Sequence, residues 1–126
     1  VRGLTLDAGA LIAVERKDER MKALLERVLA RPEAVIHVPA GVVAQAFRDG
    51  SKQARLMRLL NGSQAQVVAL EEETAQAAGV LLGLRGTNDV VDASVVICAR
   101  RYRQPVVTTD PDDLRRLDPK VELHAL

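Results

Sequence analysis

Short runs rich in valine, isoleucine and leucine recur along this chain, and each is separated from the next by a stretch with helical spacing. The runs are Gly3 to Leu6, Ala34 to Val38, Gln66 to Leu70, Pro105 to Thr108 and, last, Val121 to His124. Runs this short fit strands better than helices. Strands that alternate with helices make βαβ units, whose strands run parallel and are covered on both faces. The expectation is one α/β domain over residues 1–126, with three α/β/α layers around a mostly parallel sheet and Val121 to His124 as an edge strand.

The intervening segments carry helix signals. A first helix is expected from about Ala8 to Val14. Asp18 is placed to cap Glu19 to Ala30, where Met21, Leu24, Leu25, Val28 and Leu29 share one face and Pro32 ends the run. Pro39 suits the first turn of a helix reaching about Arg48. Asp49-Gly50-Ser51 is a break, and Lys52 to Leu60 follows as another helix, closed by Asn61-Gly62. Glu71 to Leu84 has an acidic first turn that suits the helix dipole. Asn88 is the expected cap of a helix from Asp89 to Tyr102, and Pro111 to Leu117 forms a short last helix.

Composition narrows the function classes. Phe47 and Tyr102 are the only Phe, Tyr or Trp residues, so Leu, Val, Ile and Ala must fill the core. Proteins that hold single-stranded nucleic acid by stacking its bases need aromatic platforms, which this chain lacks. The formal net charge of +1 implies no polyanion partner by itself. Cys98 is a lone cysteine inside the apolar run Val95 to Ala99, where a buried role is expected and neither a disulfide nor a cysteine zinc site is available. No apolar stretch is long enough to span a bilayer, and Asp7 interrupts the first apolar segment, so an intracellular, cytoplasmic protein is expected.

Four acids fall where a parallel sheet places its ligands. Such sheets bind beyond the carboxyl ends of their strands. Asp7 directly follows the first strand, and Asp110 follows the fourth after Thr108-Thr109. Asp89 and Asp92 begin the helix that leads into the fourth strand, three residues apart and so on one face. Carboxylates gathered in a small volume raise each other's pKa unless a cation intervenes. Oxygen donors suit Mg²⁺ or Mn²⁺, and the scarcity of Cys and His argues against zinc or copper. His37 and His124 are read as structural. A metal held by carboxylates alone points to phosphodiester hydrolysis, in which the ion activates water and stabilises the leaving oxygen. Neither a Walker motif nor a dinucleotide fingerprint is present. Each acid also has a plain reading as a cap or a dipole partner, but capping does not require the three together.

At these residues the chain resembles the PIN-domain family, and within it the VapC-like toxins of bacterial toxin–antitoxin pairs. The matching stretches are Leu6-Asp7-Ala8-Gly9-Ala10-Leu11-Ile12-Ala13, Asp92-Ala93-Ser94-Val95-Val96-Ile97-Cys98-Ala99, and Pro105-Val106-Val107-Thr108-Thr109-Asp110-Pro111-Asp112-Asp113-Leu114. The resemblance implies a PIN fold and a Mg²⁺- or Mn²⁺-dependent ribonuclease with Asp7, Asp92 and Asp110 at the family's acidic positions. It also implies a small antitoxin partner and a homodimer. One position departs from the pattern: Gln45 stands where the family usually has a Glu on the helix after strand two. An amide brings no charge, so Asp89 or Asp113 would have to supply it; otherwise the protein is a weakened nuclease that acts by binding RNA or a partner.

Residues around the site are candidates for substrate contact. Arg48, Lys52, Arg55 and Arg58 recur at about helical spacing and form either a phosphate-binding stripe or an ordinary solvated face. Asn88, Thr108 and Gln45 are placed to support the acids or touch substrate. Arg100, Arg101 and Arg103 are explained by a helix C-terminus. The apolar faces of Glu19 to Ala30 and Lys52 to Leu60 form either a groove for a partner helix or ordinary core. A phosphatase or phosphoacceptor with Asp7 as nucleophile is disfavoured, because Ala8-Gly9-Ala10 follows with no second acid two positions on and lysines are few.

Overall fold

Parallel neighbours need a crossover, and this chain supplies at least one helix after every strand but the last. The computed structural model describes residues 3–126. In chain order these are β1 (Gly3–Leu6), α1 (Ala8–Glu15), α2 (Glu19–Leu29), β2 (Val35–Pro39), α3 (Ala40–Ala46), α4 (Ala54–Leu60), β3 (Ala65–Val68), α5 (Glu72–Arg85), α6 (Val90–Tyr102), β4 (Val106–Thr108), α7 (Pro111–Leu117) and β5 (Leu123–Ala125). The strands form one sheet in the order β3-β2-β1-β4-β5, and every pairing is parallel. Helices cover it on both sides in a three-layer α/β/α arrangement, as the alternation predicts.

Side-chain alternation along β1 shows how the layers are held. Thr5 faces α6, with its hydroxyl 3.9 Å from Cys98 Sγ. Its neighbour Leu4 points the other way and borders a cavity with Leu24 and Val28 of α2. β1 and β4, in the middle of the sheet, are buried at every residue, whereas the edge strands β3 and β5 are not. The largest fully buried side chains are aliphatic, led by Leu4, Leu6, Leu11, Met21 and Ile36, which is the core that a chain nearly free of aromatics has to build. Cys98 is buried as expected. No helix among the described residues is long and apolar enough to cross a membrane.

One polar cluster lies inside the fold, where the turn after α6 meets the sheet. Gln104 Oε1 accepts from the Thr5 hydroxyl at 3.0 Å and lies 2.9 Å from His37 Nδ1, and its Nε2 donates to Val35 O at 3.1 Å. The His37 ring stacks on Tyr102 at 3.6 Å between centroids. The amide oxygen can only accept, so the shared contact fixes the His37 proton on Nδ1. His37 therefore has the structural role the sequence assigns it.

Some expected boundaries shift. Pro39 closes β2 and caps α3 from outside instead of sitting in the first turn, because β2 pairs with β3 as far as Val68. α4 begins at Ala54, after Lys52 has been taken into a turn with its N–H on Asp49 O. β3 starts one residue early, and the last strand is displaced to Leu123–Ala125.

Candidate metal centre at the carboxyl end of the sheet

β1 and β4 are neighbours, so the residues that leave their carboxyl ends meet. Asp7 leaves β1 and caps α1: its Oδ1 accepts from the Ala10 N–H at 2.9 Å. The carboxylate is 8% exposed. Burial raises its pKa, and hydrogen bonds from the Thr108 hydroxyl and the Ala10 and Gly9 N–H groups oppose that rise. Asp7 is thus both a helix cap and a member of the cluster; the plain reading and the functional one hold together.

Asp110 leaves β4 and precedes α7. Its N–H donates to Thr108 Oγ1 at 2.8 Å, while its exposed carboxylate makes no cap bond. A hydrogen bond shared with Asp113 raises its pKa most, followed by burial and by the charges of Asp113, Asp112 and Asp7. Asp113 in turn lies 3.5 Å from Arg116.

Asp92 comes from α6, which packs on β1, β2 and β4. It is half-buried, and its pKa is pushed up to about 6, first by burial and then by Asp89, Asp113, Asp7 and Asp110. All four acting charges are carboxylates. The expected acids Asp7, Asp89, Asp110 and Asp113 therefore all lie near enough to Asp92 to oppose its ionisation. Among the described residues, no three acid, histidine or cysteine side chains stand close enough around one point to ligate an ion as they are placed. The donor set nonetheless fits a hard divalent cation: it is all oxygen, in charge excess, and the Asp110 carboxylate is exposed and makes no cap bond.

The cap of α6 is a correction. Asn88 is exposed in the preceding loop, and Asp89 is the N-cap, accepting from the Asp92 N–H at 2.9 Å. Asp89 therefore precedes the helix instead of lying in its first turn. The Asp89-Val90-Val91-Asp92 spacing, an acid at the cap and another three residues on, is a signal that favours this choice.

The basic stripe is a second correction. Arg48 donates to the Ala44 and Phe47 carbonyls and closes the end of α3, and Lys52 sits in the turn before α4. Arg55 pairs with Glu15 at 3.2 Å. Glu15 ends α1 and Asp7 begins it, so Arg55 is about 12 Å along that helix from Asp7. These basic residues fall across a segment that is not a continuous helix, since α3 ends at Ala46 and α4 starts at Ala54. Gln45 is exposed on α3 and, among the described residues, makes no side-chain hydrogen bond. Thr108 is the supporting residue the structure brings in, through Asp110 and Asp7. Sequence reasoning missed Thr109, whose side chain packs on Gly9; two residues a hundred positions apart give no local signal.

The PIN domain family model matches residues 4–120. The chain belongs to the PIN-domain family. Solved structures with the same fold include VapBC2 from Rickettsia felis bound to a DNA fragment from its promoter, at 16% identity and a TM-score of 0.71, covering 98% of each chain. FitAB bound to an IR36 DNA fragment matches at 16% identity and 0.67, covering 97% of this chain and 94% of that one. FitAcB from Neisseria gonorrhoeae matches at 18% and 0.63, covering 95% of each. No curated protein matches. These likenesses place the PIN fold over nearly the whole chain.

Proposed function

We propose that this PIN-domain protein is a Mg²⁺- or Mn²⁺-dependent endoribonuclease and the toxin of a toxin–antitoxin pair acting in the cytoplasm. The observation that carries the reading is Asp92, a half-buried carboxylate whose pKa is pushed up to about 6, first by burial and then by the charges of four other carboxylates. A cluster that resists its own ionisation is one a divalent cation would relieve. Asp7, Asp92 and Asp110 would hold the ion, with Asp113 and Asp89 adding charge. When bound, the ion supplies an activated water and a counter-charge for the leaving oxygen. The chain's part is to fix the acids: Ala10 N–H and the Thr108 hydroxyl orient Asp7, and Thr108 also tethers Asp110. Tyr102 is stacked on His37 and offers no platform for bases, so RNA would be held through its backbone.

RNA cleavage by the purified protein is expected to need Mg²⁺ or Mn²⁺, to stop with EDTA, and to be lost in folded Asp7→Ala and Asp92→Ala variants. Full cleavage by either variant would refute the assignment. Gln45 supports a second reading, a weakened nuclease that binds RNA or a partner. Wild-type protein that binds RNA without cutting it, with cleavage appearing in Gln45→Glu, would establish that reading instead.

A small antitoxin has a place to bind. α2 and α4 border a groove of about 880 Å³ lined by Val14, Met21, Leu25, Leu29 and Leu59, with Lys22 and Arg58 at its sides. Its apolar floor and mixed rim suit an amphipathic helix. A homodimer belongs to the same reading, and sedimentation tests it.

A further inference from the structure

We infer that Gly9 is a positioning residue: its lack of a side chain leaves the room beside Thr109 that lets Asp7 and Asp110 keep their spacing. The inference rests on the metal-nuclease reading. Nothing in the backbone of α1 calls for glycine: Gly86 is the only described glycine with a left-handed φ. The requirement comes from across the molecule. A Cβ on Gly9 would run into the Thr109 hydroxyl oxygen and would lie 3.1 Å from Thr109 Cβ and 3.3 Å from Cγ2. Turning the Thr109 side chain clears the oxygen but leaves Cβ where it is, so α1 or the β4–α7 turn has to move.

Both of those parts carry an acid. The Asp7 carboxylate is tied to the first turn of α1 through Ala10 N–H, and its own N–H is held by Val107 O at 3.2 Å. Asp110 directly follows Thr109. Its N–H is held by the fully buried Thr108, whose carbonyl accepts from Leu126 N–H at 2.9 Å. The turn is anchored on both sides of Thr109, so a push there changes the separation of the two carboxylates instead of dissipating in a loose loop. Gly79 and Gly83, by contrast, meet nothing within 4 Å. The absence of a side chain at position 9 is therefore tied to this one contact.

The test uses four forms of the full chain stripped of metal: wild type, Gly9→Ala, Thr109→Ala and the double variant. Calorimetric titration with Mn²⁺ is expected to show Gly9→Ala weakened by about tenfold, the scale on which sub-ångström misplacement tells. Thr109→Ala alone should bind as wild type does. The double variant should recover, because removing the Thr109 side-chain branches makes room for the new methyl. Tight binding by Gly9→Ala, or a double variant that stays weak, overturns the inference. A loss in Thr109→Ala alone also overturns it, since the Thr109 side chain would then serve the ion itself and not merely limit what fits at position 9. If Gly9→Ala does not fold, Thr109→Val puts a methyl against Gly9 from the other side and must weaken Mn²⁺ binding in the same sense. If wild type binds no Mn²⁺, the metal reading fails by itself. Metal-free crystal structures then decide the spacing: the Asp7–Asp110 Cα separation must change in Gly9→Ala and revert in the double variant, and an unchanged separation sinks the idea.

Discussion

The Asp89 carboxylate accepts the backbone N–H of Asp92 at 2.9 Å, so the residue that starts α6 also sets a negative charge beside the acid the fold penalises most. Asp92 has a folded-state pKa of about 6 against an ordinary value of 3.8. A carboxylate shifted upward adds stability while it is protonated, fully so below 3.8, and that stability is lost as pH rises through about 6. Metal-free Asp92→Asn cannot ionise. Its Tm is expected to exceed that of wild type at neutral pH, with the gap closing as pH falls through about 6 toward 3.8. His37 works in the opposite sense. Burial holds its pKa below 6.5, so its contribution is lost as pH falls from 6.5 through the folded value. It does so in both proteins, and the difference between the two melting curves isolates Asp92. A Tm for Asp92→Asn at or below wild type at neutral pH would contradict the electrostatic account.

Most of the architecture was legible because burial imposes period and length. β1 and β4 are short, apolar and bounded by acids, and the sheet puts Asp7 and Asp110 together for that reason alone. Local competition was harder to read. Asn88 and Asp89 are both good caps, and the choice depends on which side chain reaches the Asp92 N–H. Arg48 and Arg55 look like one stripe only if residues 47–53 are helical. They are not: Gln53 folds back, accepting from the Arg48 and Asp49 N–H groups and donating to Ala46 O. The Gly9–Thr109 contact was illegible because it depends on how closely α1 and the end of β4 approach, which no local pattern encodes.

Gln104 is expected to be among the least replaceable polar residues. Its amide serves Thr5, His37 and Val35 O, all inside the fold. Gln104→Leu removes the amide partner of two donors and an acceptor inside the fold. It should lower unfolding free energy by about 3 kcal/mol, since each orphaned buried group costs about 1–3. Urea denaturation measures this, and a loss within the error of the method would mean water reaches the cluster.

Gly79 and Gly83 lie on the exposed side of α5 with open space where a Cβ would go. Alanine should fit at both, and each replacement should raise stability by about 0.5–1 kcal/mol through backbone entropy. Val80 and Leu84 on the same helix are 65% and 77% exposed. If either alanine instead lowers Tm, and Tm depends on protein concentration, a second copy covers this face of the helix.

Asp89 separates a cap from a charge. Asp89→Asn keeps an oxygen for the Asp92 N–H and removes the negative charge; Asp89→Ala removes both. The asparagine form should be more stable than the alanine form by about 1 kcal/mol, the usual worth of such a cap. The two have lost the same charge from the surroundings of Asp92, so both should bind Mn²⁺ more weakly than wild type and equally so. If only the alanine form is weakened, Asp89 acts on the metal by holding the first turn of α6 and not by its charge. If both bind as wild type does, the charge missing at Gln45 is not made good by Asp89, which leaves Asp113 to supply it.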